Sequence, residues 1–470
     1  MRLDTTLQAL NNVLAAGRRA HFIGIGGISM NGLARVLLAR GWQVSGSDMT
    51  DSELIGQLRA LGATVAIGHA AANLPEVDLV VRTDAVTAEN PELVLAQQRG
   101  YLVVRRSQLL GRLTAQFKSI AVSGTHGKTT TSAMTTQVLL SAGLSPTAFL
   151  GGEYGPIGGT CRVGDGAWAV VEACEAFASF LDFTPTVAVI TNVEPEHLDY
   201  HGTVEALHQA FVQFLGQLQP GGGAVICYDD PVAVKLAQRA GVQQIVGYAL
   251  ETDAYFTASD IRRCGLGSEF TVLHAGQPVA QVKLQVPGRH NIANALAALA
   301  AASLAGIAPD VAAAGLGQFC GVNRRFQIIS RAGGVTLVDD YSHHPTEMAA
   351  AFAAIRAHCT GRLLVIFQPH LFSRTRTFMR EFAQLLASAD LAWVTDIYPA
   401  REEPIPGVDA AQIAQLASKE FGGKVEYLPF ESVAANVISQ LQQDDIVVTM
   451  GAGNVDRIAR GLAGLLSNNT

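Results

Sequence analysis

Along this chain, short unbroken runs of apolar and β-branched residues recur, each followed by a stretch with helical periodicity. "HFIGIGGISM" opens one such series and "SIAVSGTHGKTTT" a second; a third opens at "GVTLVDDYSHHPTE" and continues through "LLVIF", "LAWVTD" and "IVVTM". A strand that is apolar on both faces does not suit a sheet with one side in water. It suits a parallel sheet covered by helices on both sides. Strand and helix in alternation then predict doubly wound α/β layers. A chain of 470 residues is too long for one core. Three series therefore predict three α/β domains: a Rossmann-like one over residues 1–115, a P-loop-type one over 116–323, and a second Rossmann-like one over 324–470.

Charge and cysteine content exclude several classes. The net charge is −7 and there is no basic run, which argues against a nucleic-acid partner and against an anionic membrane surface. Six cysteines (Cys161, Cys174, Cys227, Cys264, Cys320 and Cys359) are scattered and form no C-x-x-C pair. They read as reduced, mostly buried thiols of a cytoplasmic protein. "MRLDTTLQAL" carries Asp4 ahead of any apolar run, so no signal peptide is expected. The Ala-rich stretch "NIANALAALAAASLAGIAPDVAAAGL" is broken by Asn294, Pro309 and Asp310. It predicts a core helix and a turn, with no membrane insertion.

The sharpest local signal is "SIAVSGTHGKTTTSAM". An apolar strand, a Gly-containing loop and a helix follow one another, which is the context a phosphate loop needs. Gly124 and Gly127 bracket a G-x-x-G-K-T, two residues shorter than the common G-x-x-x-x-G-K-[ST]. Backbone N–H groups at the helix start would point at an anion. Lys128 would reach terminal phosphates and the Thr129 hydroxyl would hold Mg²⁺. A cation otherwise sits badly at a helix N-terminus, because the helix dipole repels it. Lys128 is expected to be an exposed loop side chain whose loss leaves folding nearly unchanged.

Other candidates lie at predicted strand ends. Gly24-Ile25-Gly26-Gly27 follows "HFI" and matches a dinucleotide turn at two glycines, with Ser29 in the third position and Asp48 ending the next strand. Glu172 ends "WAVVE" and His197 follows "VAVITNVEPEH"; beside a phosphate loop, a carboxylate and an imidazole suit Mg²⁺. His290 and Asn294 are spaced i,i+4 on a predicted helix. They suit a base edge, and an Asn cap with a plain i,i+4 contact explains them equally well. "VDDYSHHPTE" and "FQPHLFSRTR" concentrate Asp340, Tyr341, His343, His344, His370 and Arg374 after apolar strands. Two histidines and an arginine suit a carboxylate and an amine; ordinary loop polarity is the alternative.

Taken together, "GTHGKTTT", "VVEACEAFASF", "TNVEPEHLDYHG", "PGRHNIANALAA", "GVNRRFQ", "DDYSHHPTE", "FQPHLFSRT" and "TMGAGN" resemble the Mur ligases of peptidoglycan synthesis over nearly the whole chain. The resemblance implies a UDP-sugar in the first domain, with Gly26 and Gly27 at the diphosphate and Asp48 and His69 near the uridine. It implies ATP in the central domain, held by Gly124, Thr125, His126, Gly127, Lys128, Thr129 and Thr130, with His290 and Asn294 at the adenine. Mg²⁺ would lie at Thr129, Glu172 and His197. Arg325 and Asp340 would reach the γ-phosphate and ribose, and Tyr341, His343, His370 and Arg374 would receive an amino acid. The implied reaction joins L-alanine to the carboxylate of UDP-N-acetylmuramate through an acyl phosphate, with Lys128, His343 and Arg374 as catalytic residues and closure of the third domain. "GTVEALHQAFVQFLGQL" holds no lysine, so the carbamylated lysine of several siblings is not expected. A tripeptide-recycling ligase of the same family and a non-catalytic nucleotide sensor remain as rivals, and a homodimer is left open.

Overall fold

The protein is described here from a computed structural model, which covers residues 2–400 and 402–468. The first five strands are β1 (Arg19–Ile23), β2 (Gln43–Asp48), β3 (Thr64–Ile67), β4 (Leu79–Arg82) and β5 (Leu102–Arg105). They form a parallel sheet of order β3-β2-β1-β4-β5. The order reverses at β1, whose apolar side chains are fully buried. The Gly24–Gly27 turn leaves the carboxyl end of that strand, where open α/β sheets bind ligands.

The second sheet has ten strands: β6 (Lys118–Ser123), β7 (Thr147–Tyr154), β8 (Gly159–Arg162), β9 (Trp168–Glu172), β10 (Val187–Ile190), β11 (Gly223–Cys227), β12 (Ile245–Tyr248), β13 (Phe256–Cys264), β14 (Gly267–His274) and β15 (Gln277–Leu284). Their order is β15-β14-β13-β12-β11-β10-β6-β9-β7-β8. β6 pairs in parallel with β9 on one side and β10 on the other. The chain thus lays β7, β8 and β9 on one side of β6 before crossing to β10 on the other, and the Gly124–Gly127 turn leaves β6 at that crossing.

The third sheet is β16 (Gln327–Ala332), β17 (Val335–Asp340), β18 (Leu363–Phe367), β19 (Leu391–Val394), β20 (Val425–Tyr427) and β21 (Ile446–Met450), in the order β16-β17-β21-β18-β19-β20. Only β16 runs antiparallel. "LLVIF" is buried at every position, as its continuous apolar run predicts. The fold is thus a three-domain α/β fold.

Two compact units emerge. One comprises Met1–Ile261, Phe270–Val282 and Ala293–Gln318; the other comprises Arg262–Glu269, Lys283–Ile292 and Phe319–Thr470. Within the first unit the helix Arg106–Thr114 packs tightly on the 176–182 turn. A Cβ added at Gly111 would lie 2.0 Å from the Asp182 carbonyl oxygen, and Arg105 pairs with the Asp182 carboxylate at 3.3 Å. The Ala-rich stretch folds as two helices, Arg289–Leu304 and Pro309–Gly317. Among the described residues no helix is long and apolar enough to cross a membrane.

One expectation fails here. All six cysteines are free, but only Cys161 and Cys227 are fully buried; Cys320 is exposed and the other three are intermediate. Cys320 lies in the irregular segment between the helix ending at Gly317 and β16, where its neighbours Phe319 and Val322 are the residues turned inward.

Candidate active site

The turn after β6 is shaped by two glycines. Gly124 has φ +126° and Gly127 φ +80°, backbone that L side chains rarely adopt. A Cβ at Gly124 would lie 2.2 Å from Thr191 Oγ1, and one at Gly127 2.6 Å from Asn294 Oδ1. The turn is pinned from β10's following loop: Thr125 N–H donates to the Asn192 carbonyl (3.0 Å), His126 N–H to Asn192 Oδ1 (2.8 Å), and Thr191 Oγ1 to the His126 carbonyl (2.6 Å). The helix Lys128–Ser141 then starts with no side-chain cap. Its first-turn N–H groups, including that of half-buried Thr130, are therefore those an anion would receive.

Lys128 departs from expectation. It is not an exposed loop lysine: its side chain is 12% exposed, and Nζ donates to the carbonyls of Gly124 (2.5 Å) and Thr125 (2.9 Å) and to Glu175 Oε1 (3.1 Å). Glu175 is 1% exposed. Burial by itself pulls the ammonium down. The charge of Glu175, aided by Glu172, outweighs it and holds Lys128 above the ordinary lysine value. The unfavourable helix-dipole position is thus offset by two carboxylates.

Thr129 Oγ1 donates to Glu172 Oε2 (2.6 Å), and Gly151 N–H meets the same oxygen (3.2 Å). His197 stands at φ +54° ahead of a short helical turn, its Nε2 3.8 Å from Glu175 Oε1. Cys174, Glu175 and His197 offer ligand atoms within 4.8 Å of one another. Burial keeps the Cys174 thiol protonated, pushed up to about 12. Thr131 Oγ1 donates to Asn294 Oδ1 (3.2 Å), which ties Asn294 to the helix Lys128–Ser141. His126 Nε2 lies 3.3 Å from Glu194 Oε2.

At the first sheet, Gly26 N–H donates to Asp48 Oδ2 (2.8 Å), and the N–H groups of Gly24 and Ile25 meet the Ser47 carbonyl. Gly27 opens the helix Ile28–Ala39. Ser29, where the dinucleotide fingerprint has glycine, accepts a hydrogen bond from Arg106 (2.9 Å). His69 follows β3, its Nδ1 2.9 Å from Ser47 Oγ.

In the second unit the third-domain candidates come together. His370 stacks on Tyr398 with ring centroids 5.7 Å apart, and the His343 and His370 rings are 5.9 Å apart. Arg374 Nη1 donates to His370 Nδ1 (3.2 Å), so neutral His370 carries its proton on Nε2. His343 is the reverse. Its Nδ1 faces the Tyr341 carbonyl (2.9 Å) and Glu347 Oε2 (3.5 Å), both acceptors, so the lone pair is on Nε2. The guanidinium groups of Arg324 and Arg325 each lie 5.0 Å from the Tyr341 ring centroid. Arg325 also pairs with Glu347 at 3.7 Å. The Asp340 carboxylate is engaged by the N–H groups of Phe326 (2.7 Å) and Ser342 (2.9 Å) and by the Ser342 hydroxyl. His290 stands exposed at the start of its helix.

Glu175 and Glu92 escaped the sequence reading. Glu175 was legible only as a charge inside the apolar run "WAVVEACEAFASFL". Glu92, in "NPELVLAQQ", looks like any acid in a first helical turn.

An uncapped helix N-terminus, a buried lysine and facing carboxylates at the crossing of a parallel sheet define a nucleotide-phosphate enzyme. Comparison with known proteins gives the particular kind. Residues 19–118 match the model described as the Mur ligase family catalytic domain, 122–302 the Mur ligase middle domain, and 324–453 the Mur ligase glutamate ligase domain. The chain belongs to the Mur ligase family. It is 42% identical to the UDP-N-acetylmuramate–L-alanine ligase of Syntrophus aciditrophicus (strain SB), over 95% of this chain and 93% of that one. The crystal structure of UDP-N-acetylmuramate-alanine ligase from Thermotoga maritima superposes with a TM-score of 0.82 at 28% identity, covering 97% of this chain and 100% of that chain. A murein peptide ligase from Psychrobacter arcticus shares the fold, with a TM-score of 0.71 at 24% identity, covering 96% and 99%.

Proposed function

We infer that this protein joins L-alanine to the lactyl carboxylate of UDP-N-acetylmuramate at the expense of ATP. The observation that carries this is likeness to a ligase of that name across 95% of the chain. The donor set around Lys128 supports the ATP half of the reading. A muramate carboxylate is a poor electrophile, because its oxide is a bad leaving group. Attack of the carboxylate on the γ-phosphorus breaks the bond to the β,γ-bridging oxygen, releasing ADP and giving an acyl phosphate; the alanine amine then attacks the acyl carbon, loses a proton, and phosphate departs. Charge develops on the transferring phosphoryl group, where Lys128 and the first-turn N–H groups of its helix would stabilise it.

Thr129, Glu172 and His197 would hold Mg²⁺. Oxygen donors from a hydroxyl and a carboxylate suit a hard cation, and the 2.6 Å contact between them sets two such donors side by side. When bound, Mg²⁺ neutralises phosphate charge. In this reading Gly124–Thr130 cradle the phosphates, Asn294 and His290 meet the adenine, and Arg325 and Asp340 serve the γ-phosphate and ribose. Gly26, Gly27, Asp48 and His69 take the UDP group. Arg374 clamps the alanine carboxylate, with Tyr341 and His370 beside it. His343 accepts the amine proton, because its Nε2 rather than that of His370 carries the lone pair. We assign the three domains to residues 1–115, 116–323 and 324–470, and the enzyme to the cytoplasm.

The test is a phosphate-release assay on the purified chain. Release must require ATP, UDP-N-acetylmuramate and L-alanine together. The product mass must equal the two substrates less one water. Release without an amino acid, or tight ATP binding with no turnover, would reject the ligase reading.

A further inference from the structure

Beneath His69 lies a buried polar chain that none of the chemistry above uses. Glu92 is fully buried and accepts five hydrogen-bonding groups or near neighbours. Oε2 meets His21 Nε2 (2.9 Å) and Ser47 Oγ (2.6 Å), Oε1 meets Ala70 N–H (3.1 Å) and Asn73 Nδ2 (3.0 Å), and His69 Nδ1 lies 3.5 Å from Oε1. Burial raises the pKa of this carboxyl. The bonds from His21, Ser47 and Asn73 more than reverse that and hold it near about 2. An ionised carboxylate only accepts. Ser47 must therefore give its one proton to Glu92, and its oxygen can only accept from His69 Nδ1. The second contact of Nδ1, to Glu92 Oε1, demands the same proton. Neutral His69 is thus the Nδ1–H tautomer, with a lone pair on Nε2. His69 is 17% exposed and, among the described residues, Nε2 has no hydrogen-bond partner. It stands at the carboxyl end of β3, beside Asp48, whose carboxylate holds the Gly26 N–H.

We propose that Glu92, acting through Ser47, is a positioning residue that fixes His69 as a hydrogen-bond acceptor and so selects a nucleotide base with a ring N–H, the imide of uracil, over one with a bare ring nitrogen, as in cytosine. This rests on the reading that the first domain holds the UDP group. It adds the reason a carboxylate is buried there and the sense of the hydrogen bond it dictates. The relay also reverses with one atom. In Glu92→Gln the amide oxygen takes the donors Ala70 and Asn73, so the NH₂ faces Ser47 and His21. Ser47 then accepts from Gln and gives its own proton to His69 Nδ1, which moves the His69 proton to Nε2.

The test uses the full chain. Imidazole ¹⁵N and ¹³C NMR of the unliganded wild type should report the Nδ1–H tautomer for His69, and Glu92→Gln should report Nε2–H. Equilibrium binding should favour UDP over CDP and over N3-methyl-UDP by roughly tenfold to hundredfold, the cost of one unmade buried hydrogen bond. Glu92→Gln should shrink or invert the UDP-over-CDP ratio. A wild-type Nε2–H tautomer overturns the relay, whatever binds. Equal binding of UDP and N3-methyl-UDP overturns the base selection. If UDP does not bind at all, the first-domain reading falls and the selection with it, while the tautomer result still decides the relay. Should Glu92→Gln not fold, the wild-type spectrum and ligand series alone carry the decision.

Discussion

Lys128 shows how a residue can be found from sequence while its environment is not. Gly-Lys-Thr after an apolar strand announces the loop, because that spacing has a backbone reason. Nothing local announces Glu175, since its pairing with Lys128 at 3.0 Å is made by the turn after β9, far along the chain. Two outcomes follow. Lys128→Ala should lower turnover on the order of a hundredfold or more, by loss of transition-state charge stabilisation. It should also cost about 3 kcal/mol of stability, because the buried Glu175 loses its lysine and keeps only the more distant His197. Adding Glu175→Gln should restore most of the stability, read by urea unfolding, and none of the turnover; a fully stable single mutant would refute the pairing. Glu92 gives a pH signature. Its folded pKa near about 2 lies below the ordinary 4.5, so its contribution is complete above pH 4.5 and is lost as pH falls from 4.5 toward 2. That contribution is about 3 kcal/mol. Wild type should lose that much more than Glu92→Gln across this window in urea midpoints, and parallel curves would reject it.

At the scale of elements, the sequence was most legible where periodicity and punctuation agree. Buried runs such as "LLVIF" became parallel strands, and Gly-containing turns fell at their carboxyl ends. The third-domain cluster was legible too, since "DDYSHH" and "QPHLFSRT" follow β17 and β18 and both strands flank β21 in register. What sequence could not give was the sense of each hydrogen bond, such as the opposite tautomers of His343 and His370. Those depend on a carbonyl and a guanidinium brought in by folding. The Gly124–Gly127 turn, proposed to cradle phosphates, is a testable element. Gly124→Ala combines φ +126° with a Cβ 2.2 Å from Thr191 Oγ1. It should abolish measurable ATP binding by calorimetry while far-UV circular dichroism stays native, because the strain is confined to one turn. Normal ATP affinity in that variant would contradict the loop's role.

For the whole molecule, the measurable property is how sharply the ligase prefers L-alanine over other amines. A pocket for one methyl group discriminates by only about 1–3 kcal/mol per methylene. L-serine and glycine should therefore be used, each about tenfold or more below L-alanine in kcat/KM, and L-Ala-γ-D-Glu-diaminopimelate not at all. If the tripeptide wins that comparison, the recycling reading replaces this one and the acyl-phosphate chemistry stands. Activity should be indifferent to bicarbonate, since "GTVEALHQAFVQFLGQL" has no lysine to carbamylate. The way the polypeptide is shared between the two compact units carries a further lesson for recombination. Because Arg262–Glu269 and Lys283–Ile292 belong with the later unit although they precede Phe319, a gene crossover at that residue would transplant an incomplete module. A chimaera exchanging amino-acid specificity with a sibling ligase needs those two short segments to travel with the donor half, and a design that leaves them behind splits one compact unit between two parents.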